Sequence, residues 1–274
     1  MQKNILITGT STGIGFTAVK MLIDEGFRVI ATVRKSEDET KLKELYGNAI
    51  SVLILDVTDF EQLESVPENL KKMGINSLFG IINNAGVALA APFANQPFEE
   101  IQQMMQINVL SVMKLTQVLI PSILPGGRII NISSVAGRSG APFLAGYVAS
   151  KHAIEGYSET LRKELMLLNI KVIVIAPGSI KTPIWEKGFG SIGEKYSRTS
   201  FAEAFSIFIK IASGEARNGL EPEAVGADII KALKAAQPKF RYAPIPRKFR
   251  NWYLPMLIPA RIYDVLTARV LKLK

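Results

Sequence analysis

The sequence contains no cysteine. Disulfides, thiolate nucleophiles and cysteine-held zinc are therefore excluded. Histidine occurs once, at His152. A serine-histidine-aspartate hydrolase or a multi-histidine metal centre would have to be built around that single imidazole, and no metal is expected. No stretch approaches the roughly 18 uninterrupted apolar residues that a membrane span requires. The N-terminus passes straight into Ile5-Leu6-Ile7, far too short for the core of a signal peptide, so an unprocessed cytoplasmic protein is expected. The first 176 residues also lack a Pro/Ser-rich linker, a charge block or a repeat, which leaves no place for a domain boundary.

Charge is present but unevenly placed. Of 33 basic and 24 acidic residues, Pro238–Lys274 holds nine basic and one acidic, a net of +8. The other 237 residues carry 24 basic and 23 acidic, a net of +1. The body is near neutral, so nucleic acid is not an expected partner, and the basicity belongs to the tail.

Short apolar runs alternate with longer helical patterns. Strands are predicted at 4–8, 28–32, 50–55, 78–83, 127–132 and 171–176, each rich in Ile, Val or Leu on both parities. Helices are predicted at 14–25, 38–46, 59–73, 98–121, 148–168 and 222–235. Such alternation implies parallel strands joined by right-handed crossovers: a single α/β domain, a doubly wound parallel sheet with helices on both faces. The domain is expected over 1–248, with a tail at 249–274. Residues 178–220 show several glycines and no clear strand, and are expected to form an irregular substrate lid beyond strand six.

The first strand runs into Thr8-Gly9-Thr10-Ser11-Thr12-Gly13-Ile14-Gly15 and then a helix. Glycines at such a turn let backbone approach a pyrophosphate, and the helix N-terminus supplies N–H groups. The spacing is one residue longer than the usual Rossmann G-x-G-x-x-G, and the alternative is an ordinary glycine-rich turn. The second strand ends at Arg34-Lys35 with no acid before Glu37. An NAD site uses an acid there for the ribose 2′-hydroxyl and an NADP site uses a base for the 2′-phosphate, so NADP(H) is favoured over NAD(H). The alternative is a pair of solvated loop charges. Asp56, in Leu55-Asp56-Val57, either reaches the adenine or caps the following helix. Asn83-Asn84-Ala85-Gly86 suits a turn passing close to a cofactor.

Tyr147 and Lys151 lie four residues apart at the start of a predicted helix, downstream of Asn131-Ile132-Ser133-Ser134. Positions i and i+4 share a helix face. A phenol titrates near 10, and a neighbouring ammonium is expected to lower that value toward the range of an acid/base catalyst. A surface pair is the alternative. His152, about 100° round the helix, is expected to be structural.

Together, TGTSTGIG, LDV, NNAG, Asn108 within INVLS, ISS, YVASK and PGSIKT resemble, in order and spacing, the single-domain short-chain dehydrogenase/reductase family over residues 4–182. That resemblance implies a Rossmann fold and a catalytic set of Asn108, Ser134, Tyr147 and Lys151. Ser134 rather than Ser133 carries over, because it stands 13 residues before the tyrosine. The implied cofactor set is Gly9, Ser11, Thr12, Gly13, Ile14, Gly15, Arg34, Lys35, Asp56, Val57, Asn84, Ala85, Gly86, Tyr147, Lys151, Pro177, Gly178, Ile180 and Thr182. Lys151 would hold the nicotinamide ribose, Asn108 a water in a proton relay, and Ile180 and Thr182 the nicotinamide amide. The family also implies a homodimer or homotetramer paired through helices 98–121 and 148–168.

The segments expected to face the substrate are apolar: Val87 to Phe93, Ala141 to Leu144, Ile184-Trp185 and Phe189. A hydrophobic ketone, aldehyde or alcohol is expected, with a place in lipid metabolism; TGTSTGIG with ATVRK resembles the branch acting on steroids and retinoids. Reduction of a 3-oxoacyl thioester is an alternative, as is a non-catalytic NADP-binding sensor or scaffold. Lys187 and Lys195 are read as exposed. The tail carries Trp252, Tyr253, Leu254, Met256, Leu257 and Ile258, then a predicted helix from Ala260. In it Ile262, Val265, Leu266, Val270 and Leu273 lie to one side, Arg261, Arg269 and Lys272 towards the other. This pattern fits peripheral membrane contact. The alternatives are a cap over the pocket and a packing arm on a second subunit.

Overall fold

A computed structural model describes residues 3–184, 192–247, 252–253 and 257–274. Its centre is a parallel sheet of seven strands: β1 (Asn4–Ile7), β2 (Arg28–Val33), β3 (Ile50–Ile54), β4 (Leu78–Asn83), β5 (Ile123–Ile132), β6 (Lys171–Ile175) and β7 (Arg241–Tyr242). The order is β3-β2-β1-β4-β5-β6-β7. Ile7 aligns with Ala31 of β2 on one side and Ile82 of β4 on the other. The chain thus reverses its direction of travel between β1 and β4, which opens a crevice at their carboxyl ends.

The strands are apolar on both parities because both faces are covered. Ile5 and Ile7 pack towards α1 (Gly13–Asp24), α2 (Ser36–Tyr46) and the helix at Glu223–Lys234, sharing a core with Val19, Leu22, Leu42 and Ile229. Leu6, between them, faces α3 (Phe60–Lys72) and the helices of the other layer, joining Leu63, Leu115 and Leu161. Small residues bring α1 and Glu223–Lys234 together: a Cβ on Gly226 would lie 2.2 Å from Met21 Sδ. The doubly wound reading therefore holds, helices on both faces included.

Four departures matter for the site. The helix expected over 98–121 is α4 (Phe98–Met105), a π turn at Gln106–Leu110, and α5 (Ser111–Leu119). The next helix, α6 (Ala145–Glu164), starts three residues earlier than expected and so carries Tyr147 inside its first turn. The segment expected to be irregular holds a 16-residue helix, α7 (Ala202–Arg217), ahead of α8 (Glu223–Lys234). Its glycines mask a helical stripe: Phe201, Phe205 and Phe208 recur at helical spacing. Strand β7 was not expected either; two residues, Arg241-Tyr242, extend the sheet beside Val174 and Ile175. The tail helix is α9 (Ala260–Leu271). The boundary placed at 248/249 lies outside the described residues.

Candidate active site

The crevice at the β1–β4 switch is braced by hydrogen bonds between the two strand ends. Thr8 Oγ1 accepts from the N–H groups of Asn84 and Ala85, both at 3.0 Å. The Asn84 amide donates to the carbonyls of Thr8 (2.8 Å) and Gly9 (3.0 Å). These bonds hold the glycine turn against β4. Gly9 adopts a left-handed φ of 69°, and a Cβ there would lie 2.8 Å from Ala85 Cα. Gly15 has no room at all: its Cβ would meet Gly9 O at 2.3 Å. Thr12 precedes α1 without a side-chain capping bond, so the first N–H groups of the helix keep no side-chain acceptor.

A cleft of about 590 Å³ runs from this turn to the start of α6, within the usual range for small-molecule sites. Gly9, Ser11, Thr12, Gly13 and Ile14 form one lip, and Arg34 and Lys35 close one end beyond β2. Asp56 and Val57 follow β3, and Asn84, Ala85 and Gly86 follow β4. Pro177, Gly178, Ile180 and Thr182 form the opposite wall, and Tyr147 and Lys151 lie at the far end. Of the expected cofactor set only Gly15 stands behind the surface, where it lets the turn close. The sequence reading missed Thr32, Asp38, Thr58, Ile107 and Ile132, which also line the cleft. Nothing local marks them; strand and helix ends bring them there.

Asp56 does not cap α3. Asp59 does, accepting from Gln62 N–H at 3.0 Å. Asp56 instead accepts from Thr58 N–H at 2.9 Å and Thr58 Oγ1 at 2.8 Å. Burial alone would raise its pKa, but the Thr58 bonds and the Arg34 charge outweigh that and hold the pKa below the ordinary carboxylate value. A glycine turn at a helix N-terminus, a basic end and a carboxylate kept ionised midway fit a dinucleotide along this cleft.

At the far end, Ser134 stands two residues beyond β5, and Lys151 follows Tyr147 by one turn of α6. All three are buried. The Ser134 hydroxyl is near enough to the Tyr147 phenol to favour its ionised form. Lys151 Nζ donates to Ile132 O at 2.9 Å and stands 5.8 Å from the Tyr147 ring centre. Ser133 Oγ turns away, towards Gly137, where a Cβ would come within 2.7 Å of it. His152 lies outside the cleft, exposed, with Nδ1 2.9 Å from Val148 O.

The titration of this pair differs from the expectation. Burial pushes the Tyr147 phenol above its ordinary value, and the Ser134 hydroxyl only partly offsets the shift. Burial likewise takes Lys151 down to about 8, and the nearby Glu155 carboxylate pulls it partly back. Removal of both groups from water outweighs their mutual effect, so the folded chain holds a neutral, proton-bearing phenol. Glu155 is itself buried and paired with Arg241 of β7 and with Arg138 at 3.5 Å. Arg241 in turn lies 5.3 Å from the Trp252 ring centre, which ties the tail to the catalytic helix.

Asn108 lies inside the π turn, behind the cleft wall rather than on it. Its Oδ1 accepts from Val87 N–H, and its Nδ2 donates to Val87 O, each at 2.9 Å. The same Nδ2 donates to Ser150 Oγ at 3.0 Å, and Ser150 Oγ donates to Tyr147 O at 2.7 Å. The side chain thus positions both the loop after β4 and the first turn of α6. A second amide chain, unexpected from the sequence, lies beneath: Asn83 donates to Asn131 Oδ1 and Asn131 to Ser158 Oγ, both at 2.8 Å.

Beyond Tyr147 the surroundings turn apolar. Tyr147 shares a cluster with Ala88, Ala90, Ala91, Met104, Leu144, Tyr196, Phe205, Phe208 and Leu271. Phe143, at a left-handed φ of 66°, sets its ring edge-on against Phe205 at 5.2 Å and Phe208 at 5.5 Å. Val87, Ala88, Leu89 and Ile184 line the cleft as expected. Phe93 does not: it starts a 3-10 turn after the chain has left the site and is exposed. Lys195 pairs with Glu100 at 2.6 Å. Trp185, Lys187 and Phe189 lie outside the described residues.

A buried Ser-Tyr-Lys cluster at the end of a dinucleotide cleft defines a nicotinamide-linked oxidoreductase. The family model for short chain dehydrogenases matches residues 3–191, and the chain belongs to that family. The chain is 36% identical to an NADPH-dependent 3-dehydrocapnine reductase of Ornithobacterium rhinotracheale, over 97% of this chain and 96% of that one. It is 32% identical to a 3-ketodihydrosphingosine reductase of Bacteroides thetaiotaomicron, over 86% of each. Among solved structures, the closed form of a serine dehydrogenase complexed with NADP+ superposes with a TM-score of 0.75 at 25% identity, covering 89% of this chain and 95% of that one.

Proposed function

We propose that the chain uses NADP(H) to interconvert a ketone or aldehyde and an alcohol carried on an apolar, lipid-like substrate, with Tyr147 as the proton donor and acceptor. The observation that carries this reading is the placement of the Ser134–Tyr147–Lys151 cluster between a cleft with a basic end and an aromatic wall. The reductase names of the two relatives, both of 3-oxo compounds, support a ketone as substrate. A bound nicotinamide would supply or accept the hydride. The protein's own part is positional and protic. The Ser134 and Tyr147 hydroxyls hold the substrate oxygen, and the buried phenol gives up its proton as the alcohol forms. Lys151 holds the nicotinamide ribose and stabilises the phenolate left behind, while Asn108 serves the refilling of that proton. Arg34 and Lys35 hold the 2′-phosphate. Residues 178–220 act as the lid over the substrate, within a catalytic domain of 1–248 followed by the tail. Subunits pair through α4, α5 and α6 in the cytoplasm, and the tail makes peripheral contact with membrane.

The test is a steady-state panel of 3-oxo lipids, shorter ketones, a 3-oxoacyl thioester and a steroid, each with NADPH and NADH. Turnover with NADPH should rise with apolar chain length, and Arg34→Asp with Lys35→Ser should cost NADPH at least about tenfold in kcat/KM while sparing NADH. Equal use of NADH by the wild type overturns the cofactor assignment. Nucleotide binding without turnover on any member would identify a sensor instead.

A further inference from the structure

The tail helix α9 meets the rest of the chain along one edge. Leu271 is buried in the aromatic cluster, Thr267 and Ala268 are half-buried, and Lys272 pairs with Glu203 of α7 at 2.6 Å. At about 100° per residue these inward positions share one side of the helix. The opposite side presents Ile262, Val265 and Leu266, which are 54, 57 and 45% exposed, and Leu273, just past the end of the helix, is exposed as well. Arg269 stands among them, not on the other side as the sequence pattern suggested, and Arg261 lies on their flank, both exposed. Single exposed leucines are ordinary on a protein surface; a run of them along one helix face marks an interaction site.

Charge selects the occupant. The tail from Pro238 holds nine basic residues against one acid; with Arg241 and Lys272 already paired to Glu155 and Glu203, seven stand against one, whereas the rest of the chain is almost balanced at 24 against 23. A second copy of this chain would offer α9 either the same positive tail or a near-neutral body. An anionic lipid surface offers the opposite sign and, beneath it, an apolar phase for the leucines. The long stem of Arg269 can lie along that apolar face with its guanidinium at the headgroups.

We propose that α9 docks flat on an anionic lipid bilayer through its Ile262–Val265–Leu266 face. The contact is peripheral, since no helix among the described residues is long and apolar enough to cross a membrane. On the other side of the same helix, Leu271 closes the cluster that contains Tyr147. The docked helix therefore stands between the bilayer and the apolar end of the site. The docking claim rests on this surface and its charge, not on which carbonyl compound is reduced.

Sedimentation of the full chain with phosphatidylcholine vesicles, with and without one-third phosphatidylglycerol, tests the proposal. Binding to the anionic vesicles should weaken at least about tenfold on neutral vesicles or in ~0.5 M salt. Ile262→Ser with Leu266→Ser should weaken it by a similar factor, about tenfold, while NADPH binding by fluorescence stays unchanged, which shows that the variant is folded. The proposal fails if the wild type stays in the supernatant with anionic vesicles at low salt, or if the double variant sediments like wild type. It also fails if the double substitution lowers the oligomer mass while the wild type ignores vesicles, because a second copy then covers the face.

Discussion

The two ends of the cleft are built by different means. The end beside α1 is made of backbone: glycines at left-handed φ, strand termini tied by Thr8 and Asn84, and uncapped helix N–H groups. The far end, at Tyr147, is backed by side chains, with Phe143, Tyr196, Phe205 and Phe208 brought from a loop and from α7 and its approach to pack behind the cleft. Backbone geometry recognises what every nicotinamide cofactor shares. Side-chain shape recognises what distinguishes one substrate from another, and it can be altered without disturbing the turn. Ser134, Tyr147 and Lys151, to which the proposed function gives the chemistry, stand where the two constructions meet.

The sharpest break between the ends comes at Tyr147 itself. Tyr147→Phe keeps the ring in its cluster and removes only the hydroxyl, so turnover should fall by about 10² to 10⁴ while NADPH still binds. Substantial turnover in that variant, measured with stoichiometric NADPH binding, would falsify the proton-donor role. Phe205→Ala should then act on the substrate end alone. It empties the centre of the aromatic cluster, so it should cost about 3–5 kcal/mol of stability by denaturant unfolding and raise KM for the apolar substrate. A matching rise in KM for NADPH would show that the two ends are not separable. Gly15→Ala is the converse test. Its Cβ would collide with Gly9 O, so KM for NADPH should rise about tenfold or more with the substrate KM little changed.

The smallest effect expected is a movement along the pH axis. Lys151 loses its charge as pH rises through about 8, so reduction should decline above that pH. Glu155 holds this value up, so Glu155→Gln should shift the declining limb to lower pH, by less than about one unit. Conversion of Arg241 into an unpaired buried charge makes stability a separate readout, expected to fall by about 3 kcal/mol. An unmoved limb would remove Glu155 from the electrostatics of the site. The lysine also carries a stability signature. Its folded value lies below the ordinary 10.5, so the cost of burying the ammonium is relieved and stability rises from about pH 8 to 10.5. Lys151→Met should abolish that rise.

Much of the backbone-built end was legible because its constraints are local. Glycine at positions 9, 13 and 15, apolar runs on both parities and the four-residue step from Tyr147 to Lys151 each follow from short-range geometry. The aromatic end was less legible. Phe201, Phe205 and Phe208 have helical spacing, but the surrounding glycines disguised it, and their convergence on Phe143 depends on a fold of the chain some 60 residues apart. The π turn around Asn108 has no composition signal, since it comes from one extra residue within a continuous helical pattern.

By itself, then, the sequence determined the doubly wound sheet and the family, and it singled out the turn and the Ser134–Tyr147–Lys151 set on which the proposed function rests, because periodicity and steric exclusion act between near neighbours. Only the tertiary structure decided the charge state in which those residues wait. The expected effect of an ammonium on a phenol was reversed by burial, which is a property of everything packed around them. It also decided which side of the tail helix faces outward, since the packing of Leu271 against a distant cluster, rather than any feature of the tail, sets that orientation.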